Sequence, residues 1–113
     1  LNDENHMDAV TAISGTGPAY FYLLIEIMIE AAIKNGIEPE VARTLAVETA
    51  RGASALSAVT EEEMGTMIER VSSPGGTTMA AFGYLESKDA KEIFSKAIDM
   101  AKKRANELAK EAN

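Results

Sequence analysis

The stretch AYFYLLIEIMIEAAI, Ala19 to Ile33, has hydrophobic residues at thirteen of its fifteen positions. Its only charged residues, Glu26 and Glu30, are four positions apart and so lie on one helical face. The run is too long for an ordinary strand and too short and too charged for a membrane span, and Gly36 just beyond it is typical of a helix stop. We therefore predict a helix that is apolar nearly all round. Such a helix must be covered on every side, which a dimer achieves more easily than a 113-residue monomer.

The rest of the sequence also favours helices, because no two strand-like runs are separated by a hairpin dipeptide. We predict an all-α fold of about five helices in a single domain. After the apolar helix, the sequence predicts four more, at Pro39–Val59, at Glu61–Val71, from within GGTT to about Glu86, and from Asp89 into the C-terminal region.

Two local expectations accompany these helices. Ser14 to Pro18 are expected to form a loop or kink that leads into the apolar helix, because they contain two glycines and a proline. In the third helix, a capping box of Thr60 and Glu63 predicts the start. Its inward-facing residues are expected to be Met64, Met67, Ile68 and Val71.

Composition excludes some classes of partner and site. The chain has 18 acidic residues against 11 lysines and arginines, a net charge of −7, which argues against a nucleic-acid surface. It has no cysteine, which favours a reducing cytoplasm and rules out disulfides and thiolate zinc sites. The first residues lack the basic-then-apolar order of a signal peptide, and no membrane partner is expected. The sequence begins at Leu1 rather than Met, so we expect a piece of a longer polypeptide.

Two patterns suggest chemistry but have simpler explanations. Gly15-Thr16-Gly17 follows an apolar run, as in a dinucleotide-binding unit, yet the third glycine is missing and Pro18 takes the next position. A metal site would have only His6, the single histidine, together with carboxylates, so we expect no metal.

The segment SSPGGTT, Ser72 to Thr78, is the strongest candidate for a binding site. Pro74 ends the preceding helix, Gly75 and Gly76 allow backbone conformations closed to other residues, and a new helix follows. The first N–H groups of that helix have no partner within it, and they favour an anion such as a small carboxylate. A plain helix-to-helix turn needs only one hydroxyl and one glycine, whereas this segment has four hydroxyls and two glycines.

Three stretches resemble the C-terminal dimerisation domain of the pyrroline-5-carboxylate reductase family. They are DAVTAISGTGPAYFY at Asp8–Tyr22, NGIEPEVARTLAVETARGAS at Asn35–Ser54, and VSSPGGTTMAAFGYLE at Val71–Glu86, of which the last is the most specific. With the terminal helix, the resemblance covers nearly the whole chain. Phe82, where the family usually has an aliphatic residue, and Thr16, where serine is common, depart from the pattern.

The resemblance implies an intertwined helical dimer, often assembled into larger rings, with the fold of 6-phosphogluconate-dehydrogenase-like C-terminal domains. Residues 1–113 would form the dimerisation and substrate-binding domain of an enzyme whose N-terminal Rossmann domain is absent from this chain. That domain would hold the cofactor, NADPH or NADH, so the chain alone is expected to be inactive.

The resemblance also implies a reaction and its residues. A hydride would reduce the cyclic imine of 1-pyrroline-5-carboxylate to L-proline. Ser73 and the N–H groups of Gly75, Gly76 and Thr77 would bind the carboxylate, Pro74 would shape the loop, and the catalytic residue Thr78 would place its hydroxyl at the ring nitrogen. An unactivated threonine is too weak an acid to be a general acid, so positioning and polarisation are the expected roles.

Two other functions remain open from the sequence. The first is a stand-alone helical oligomerisation module without catalysis. The second is half of another imine or hydroxyacid reductase.

Overall fold

The computed structural model describes residues 4–112, and within them it contains α-helices and no strand. Because α1, a π-helical turn and α2 follow one another almost without interruption, the described chain forms five helical stretches. The all-α prediction is confirmed. The elements are α1 (Glu4–Val10), the π-helical turn (Thr11–Gly15), α2 (Gly17–Lys34), α3 (Pro39–Val59), α4 (Met64–Arg70), α5 (Thr77–Ser87) and α6 (Ala90–Glu111).

The chain remains helical where a loop or kink was expected before α2. The irregularity is the π-helical turn, in which the Thr16 N–H donates to the Thr11 carbonyl oxygen, five residues earlier, at 3.1 Å. Pro18 does not break the helix because it lies in the first turn of α2, where its missing N–H would be unpaired anyway. Of the loop or kink predicted at Ser14–Pro18, the loop is therefore wrong, and a local change in helical winding takes its place.

The helix that results is longer than the sequence predicted. Over His6–Lys34 it is 29 residues long and, by length and composition, could cross a membrane. The argument from shortness against a membrane span therefore fails. Length and composition are weak evidence for a span, because the core helix of a soluble protein also meets both conditions.

A tight turn stops α2 and starts α3. Gly36 has φ of 94°, its N–H donates to the Ile33 carbonyl at 3.0 Å, and the Ile37 N–H donates to the Ala32 carbonyl at 3.0 Å. These two bonds are the Schellman motif, which requires a residue in the left-handed region at the position of Gly36. Pro39 then opens α3, as predicted.

The helix α4, which is the third of the predicted helices, begins later than predicted. Thr60 does not form a capping box with Glu63, because its hydroxyl accepts the N–H of Glu62 at 3.1 Å, two residues on. This local turn competes with helix formation, and α4 begins only at Met64.

The chain divides into two compact units. Among the described residues, the first contains residues 4–18 and 69–112, and the second runs from Ala19 to Ile68. In the first unit, α1 and the π-helical turn pack on α6, which also packs on α5. Ala12 of the π-helical turn is fully buried there. In the second unit, the buried residues are Ala42 and Ala46, one helical turn apart on α3.

Large apolar side chains are exposed in both units. No large side chain among the described residues is fully buried, while Tyr22 and Val71 are each 69% exposed and Val59 is 79% exposed. Of the residues predicted to face inward from the third predicted helix, which is α4, Met64, Ile68 and Val71 are exposed in the single chain. Surfaces of this extent are typical of chains that associate.

Candidate functional site

The predicted site begins with a tight turn between α4 and α5. The Gly76 N–H donates to the Ser73 carbonyl oxygen at 2.9 Å, and Gly75 has φ of 71°. Proline at the second position of a turn and glycine with positive φ at the third define a type II turn. Pro74 fixes one backbone angle of this turn, and Gly75 supplies the conformation that other residues resist.

Gly76 is needed for a different reason. Its backbone is extended, with φ of −87° and ψ of −177°, so any residue could adopt that conformation. A Cβ at this position, however, would lie 2.6 Å from the Ser73 Oγ and 3.0 Å from the Ser73 carbonyl oxygen. The hydroxyl of Ser73 therefore lies directly against the backbone that opens α5, in the space that a side chain on residue 76 would fill.

The turn leaves a set of backbone donors at the start of α5. The first α-helical bond of α5 runs from the Ala80 N–H to the Gly76 carbonyl oxygen at 3.2 Å, and Gly76 makes no side-chain cap. Within residues 4–112, no acceptor is present for the N–H groups of Thr77, Thr78 and Met79. Free N–H groups at a helix start carry a partial positive charge and favour an anion.

The structure brings the predicted residues together on one segment of the first unit. Ser73, Pro74, Gly75 and Thr77 are exposed, and Gly76 and Thr78 are half-buried. No acidic or basic side chain belongs to the segment. A carboxylate bound here would therefore be held by neutral N–H and O–H donors together with the helix dipole.

One predicted donor is already in use. The N–H of Gly76 closes the type II turn, so it donates to Ser73 and not outward. The sequence pattern shows which N–H groups lie near the helix start, but it does not show which of them the turn itself consumes.

The described residues do not form a dinucleotide site or a metal site. Gly15 and Gly17 lie within the helical stretch rather than after a strand, and the described part of the chain has no strand. A Rossmann cradle needs a strand, a glycine-rich turn and a helix in that order. No group of His, Asp and Glu among the described residues could hold a metal ion.

With this geometry in hand, comparison with known proteins identifies the family. A family model described as "Pyrroline-5-carboxylate reductase dimerisation" matches residues 4–108. The chain belongs to this family. The pyrroline-5-carboxylate reductase of Pseudomonas aeruginosa is 40% identical over 111 residues, which cover 98% of this chain and 41% of that protein.

Solved structures agree with the family assignment. The pyrroline-5-carboxylate reductase of Coxiella burnetii superposes with a TM-score of 0.90 at 39% identity, over 96% of this chain and 40% of that one. The Plasmodium falciparum pyrroline carboxylate reductase, solved with NADP bound, has a TM-score of 0.86 at 34% identity, over 91% of this chain and 39% of that one. The chain thus spans about two-fifths of the length of these relatives. The family is one of dimerisation domains, which accounts for the exposed apolar side chains.

Sequence reasoning did not predict one polar pair, which joins the buried Asp8 to the half-buried Asn106. Asp8 of α1 is only 5% exposed, and its Oδ2 accepts a hydrogen bond from the Asn106 Nδ2 of α6 at 3.0 Å. The two residues are 98 positions apart, so no local pattern links them. The only hint in the sequence was the place of Asp8 at the start of a stretch that resembles the family.

Proposed function

We propose that this chain is the self-associating and substrate-binding part of a pyrroline-5-carboxylate reductase. The full-length enzyme reduces 1-pyrroline-5-carboxylate to L-proline in proline biosynthesis. Membership of the dimerisation family supports this proposal, and so do the relatives' names. The observation that carries the substrate-binding role is the type II turn at Ser73–Gly76, which leaves free N–H donors at the start of α5.

The substrate's carboxylate binds at this helix start. The Ser73 hydroxyl and the N–H groups of Gly75 and Thr77 donate to its oxygens, and the dipole of α5 favours its negative charge. Pro74 and Gly75 hold the turn, and Gly76 provides the space in which Ser73 lies. Gly76 therefore contributes to the site by its lack of a side chain, since its own N–H is bonded to Ser73.

Thr78 lies one residue beyond the carboxylate donors, on the first turn of α5. Its hydroxyl has no hydrogen-bond partner among the described residues, and the residue is half-buried. It places this hydroxyl at the ring nitrogen of the imine, where it orients and polarises the C=N bond. The proton on nitrogen comes from water or from the already protonated iminium.

The hydride that reduces the imine carbon is supplied by NADPH or NADH. The described residues of this chain do not fit the cofactor, because they lack the strand and glycine-rich turn that hold a pyrophosphate. We assign the cofactor to a Rossmann domain in the part of the relatives' length that this chain does not match. The isolated chain is accordingly expected to be inactive.

A chimera tests this function. The matched region of the Pseudomonas aeruginosa relative is replaced by this chain, and oxidation of NADPH is followed with 1-pyrroline-5-carboxylate present and absent. Oxidation that depends on the imine supports the proposal. A folded chimera without turnover favours the stand-alone oligomerisation module, and turnover only with other imines or hydroxyacids favours a different reductase.

Substitution of Thr78 tests its role within the same chimera. Thr78→Ala is expected to lower kcat/KM by about tenfold to a hundredfold, the effect of losing one hydrogen bond to the reacting group. Thr78→Ser keeps the hydroxyl and should retain most of the activity. Thr66→Ala, on the exposed side of α4, is the matched control. Unchanged kcat/KM in Thr78→Ala would remove Thr78 from the mechanism.

Direct binding is a separate measurement on the chain itself. L-proline is titrated while the backbone amide signals of Gly75, Thr77 and Thr78 are followed by NMR. Saturable shifts confined to these amides support the carboxylate site, whereas a turn without a binding role gives no response.

The proposed location is the cytoplasm, which the lack of cysteine favours. Sedimentation with lipid vesicles tests this against the membrane alternative raised by the long helix. The chain is expected to remain in the supernatant, and recovery with the vesicles would contradict a cytoplasmic location.

A further inference from the structure

The turn between α2 and α3 contains the only Asn–Gly pair in the sequence, Asn35 and Gly36. Both residues are exposed. Asparagine is among the thermolabile residues, and a following glycine accelerates its deamidation because no side chain hinders attack by the glycine nitrogen. From the sequence alone, this pair is therefore the most vulnerable point of the chain to deamidation.

In the structure, both reacting groups, the Asn35 side-chain amide and the Gly36 N–H, are held by hydrogen bonds. The Asn35 Nδ2 donates to the Ala31 carbonyl oxygen at 2.8 Å, and the Gly36 N–H donates to the Ile33 carbonyl oxygen at 3.0 Å. Deamidation needs the Gly36 nitrogen to lose its proton and the Asn35 side chain to rotate toward that nitrogen. The bond from the Gly36 N–H to Ile33 opposes the loss of that proton, and the bond from the Asn35 Nδ2 to Ala31 opposes the rotation of the side chain.

We propose that Asn35 is a deamidation site controlled by opening of the C-terminal cap of α2. When the cap is open, the Gly36 nitrogen bonds to the Asn35 Cγ and the bond from Cγ to Nδ2 breaks. The Gly36 proton leaves with the amide nitrogen as ammonia. Water then opens the cyclic imide at either carbonyl and gives aspartate or isoaspartate, with no change in oxidation state.

The product cannot rebuild the same cap. A carboxylate has no N–H to return to the Ala31 carbonyl, and its negative charge lies at the C-terminal end of a helix, where the dipole disfavours it. Isoaspartate also lengthens the backbone by one carbon within a turn that requires fixed geometry. Deamidation of Asn35 therefore requires the cap to open, and it prevents the same cap from forming again.

The test incubates the whole chain at mildly alkaline pH, folded and in urea, and follows deamidation by mass spectrometry with peptide mapping. The reaction at Asn35 is expected to be at least about tenfold slower in the folded chain, the effect of losing one hydrogen bond in the reactive state. Equal rates would overturn the proposal. Asn106, bonded to Asp8 and followed by Glu107, is an internal reference.

Two further measurements assign the protection to the cap. Ile37→Ser leaves the Asn–Gly pair intact but weakens the hydrophobic contact that accompanies a Schellman motif, so deamidation should accelerate while the circular dichroism remains helical. A rate like that of the unsubstituted chain contradicts control by the cap. If the protection of Asn35 against deamidation disappears on dilution, self-association rather than the cap provides it, and the proposal is overturned. Asn35→Gln should show no mass change in this peptide.

Discussion

At the scale of single residues, three neighbouring residues in the turn before α5 are each required for a different physical reason. Pro74 fixes its own φ, Gly75 takes the positive φ that a type II turn requires, and Gly76 avoids a collision with Ser73. Gly75 and Gly76 are adjacent and identical, yet one is required for conformation and the other for space. Substitutions at the two positions should therefore fail for different reasons.

Gly75 gives the first prediction at this scale. Gly75→Ala places a Cβ at φ of 71° and is expected to lower the free energy of unfolding by about 1–2 kcal/mol. Gly75→Asn should cost less, because asparagine tolerates the left-handed region better than alanine does. Urea unfolding followed by circular dichroism measures both. Equal losses for the two variants would mean that φ is not the controlling factor.

Gly76 gives the second prediction at the scale of single residues. Gly76→Ala forces a Cβ toward Ser73, so the Ser73 side chain and its backbone must move, and amide signals across the turn should shift. Gly83→Ala is the matched control within α5, because a Cβ there meets nothing within 4 Å in the single chain. An NMR spectrum of Gly76→Ala that changes no more than that of the control would show that Ser73 does not lie where the structure places it.

At the scale of elements, local hydrogen bonds to backbone groups, made by the backbone at one site and by a side chain at another, decide where helices begin and end. The Schellman motif at Gly36 stops α2, and the short turn made by Thr60 delays α4 until Met64. Thr60 shows the limit of motif reading. A threonine followed three residues later by glutamate fits a capping box, but the same hydroxyl also fits a turn with the residue two positions on.

The bond between Asp8 and Asn106 joins α1 to α6 and gives a prediction for this scale. Asn106→Ala removes the donor and leaves the buried Asp8 carboxylate without it, so the free energy of unfolding should fall by about 1–3 kcal/mol. Lys110→Ala, on an exposed position of the same helix, should change it by about 0.5 kcal/mol or less. Thermal or urea unfolding compares the two. Similar small losses would contradict a stabilising role for the pair.

At the scale of the whole molecule, the main feature is the number of large apolar side chains that are exposed in the single chain. The fully or nearly buried hydrophobic residues among those described are Ala12, Ala42 and Ala46, all of them small. Three alanines bury little area, and area removed from water is the main stabilising term in folding. We therefore expect association to cover exposed side chains such as Phe21, Tyr22 and Leu24.

Association gives the prediction for this scale. Leu24→Glu replaces an apolar side chain that is 51% exposed in the single chain, and it should weaken self-association by about tenfold or more. Light scattering across a dilution series measures the change. Glu26→Gln, on the same helix, adds no charge to an apolar face and is the control. A well-folded monomer of the unsubstituted chain at micromolar concentration would contradict the dimerisation role.

The sequence by itself determined the all-α class, the bounds of α3, the start of α5 and the break in the helical pattern at Pro74, Gly75 and Gly76. These depend on proline, glycine and apolar spacing within a few positions, which act locally. Only the tertiary structure decided that Asp8 of α1 reaches Asn106 of α6, because the two residues are 98 positions apart and neighbouring residues do not determine such a pairing. The π-helical turn between α1 and α2 and the use of the Gly76 N–H within its own turn are local, but the residues there fit more than one arrangement of hydrogen bonds, so the structure was needed to choose between them.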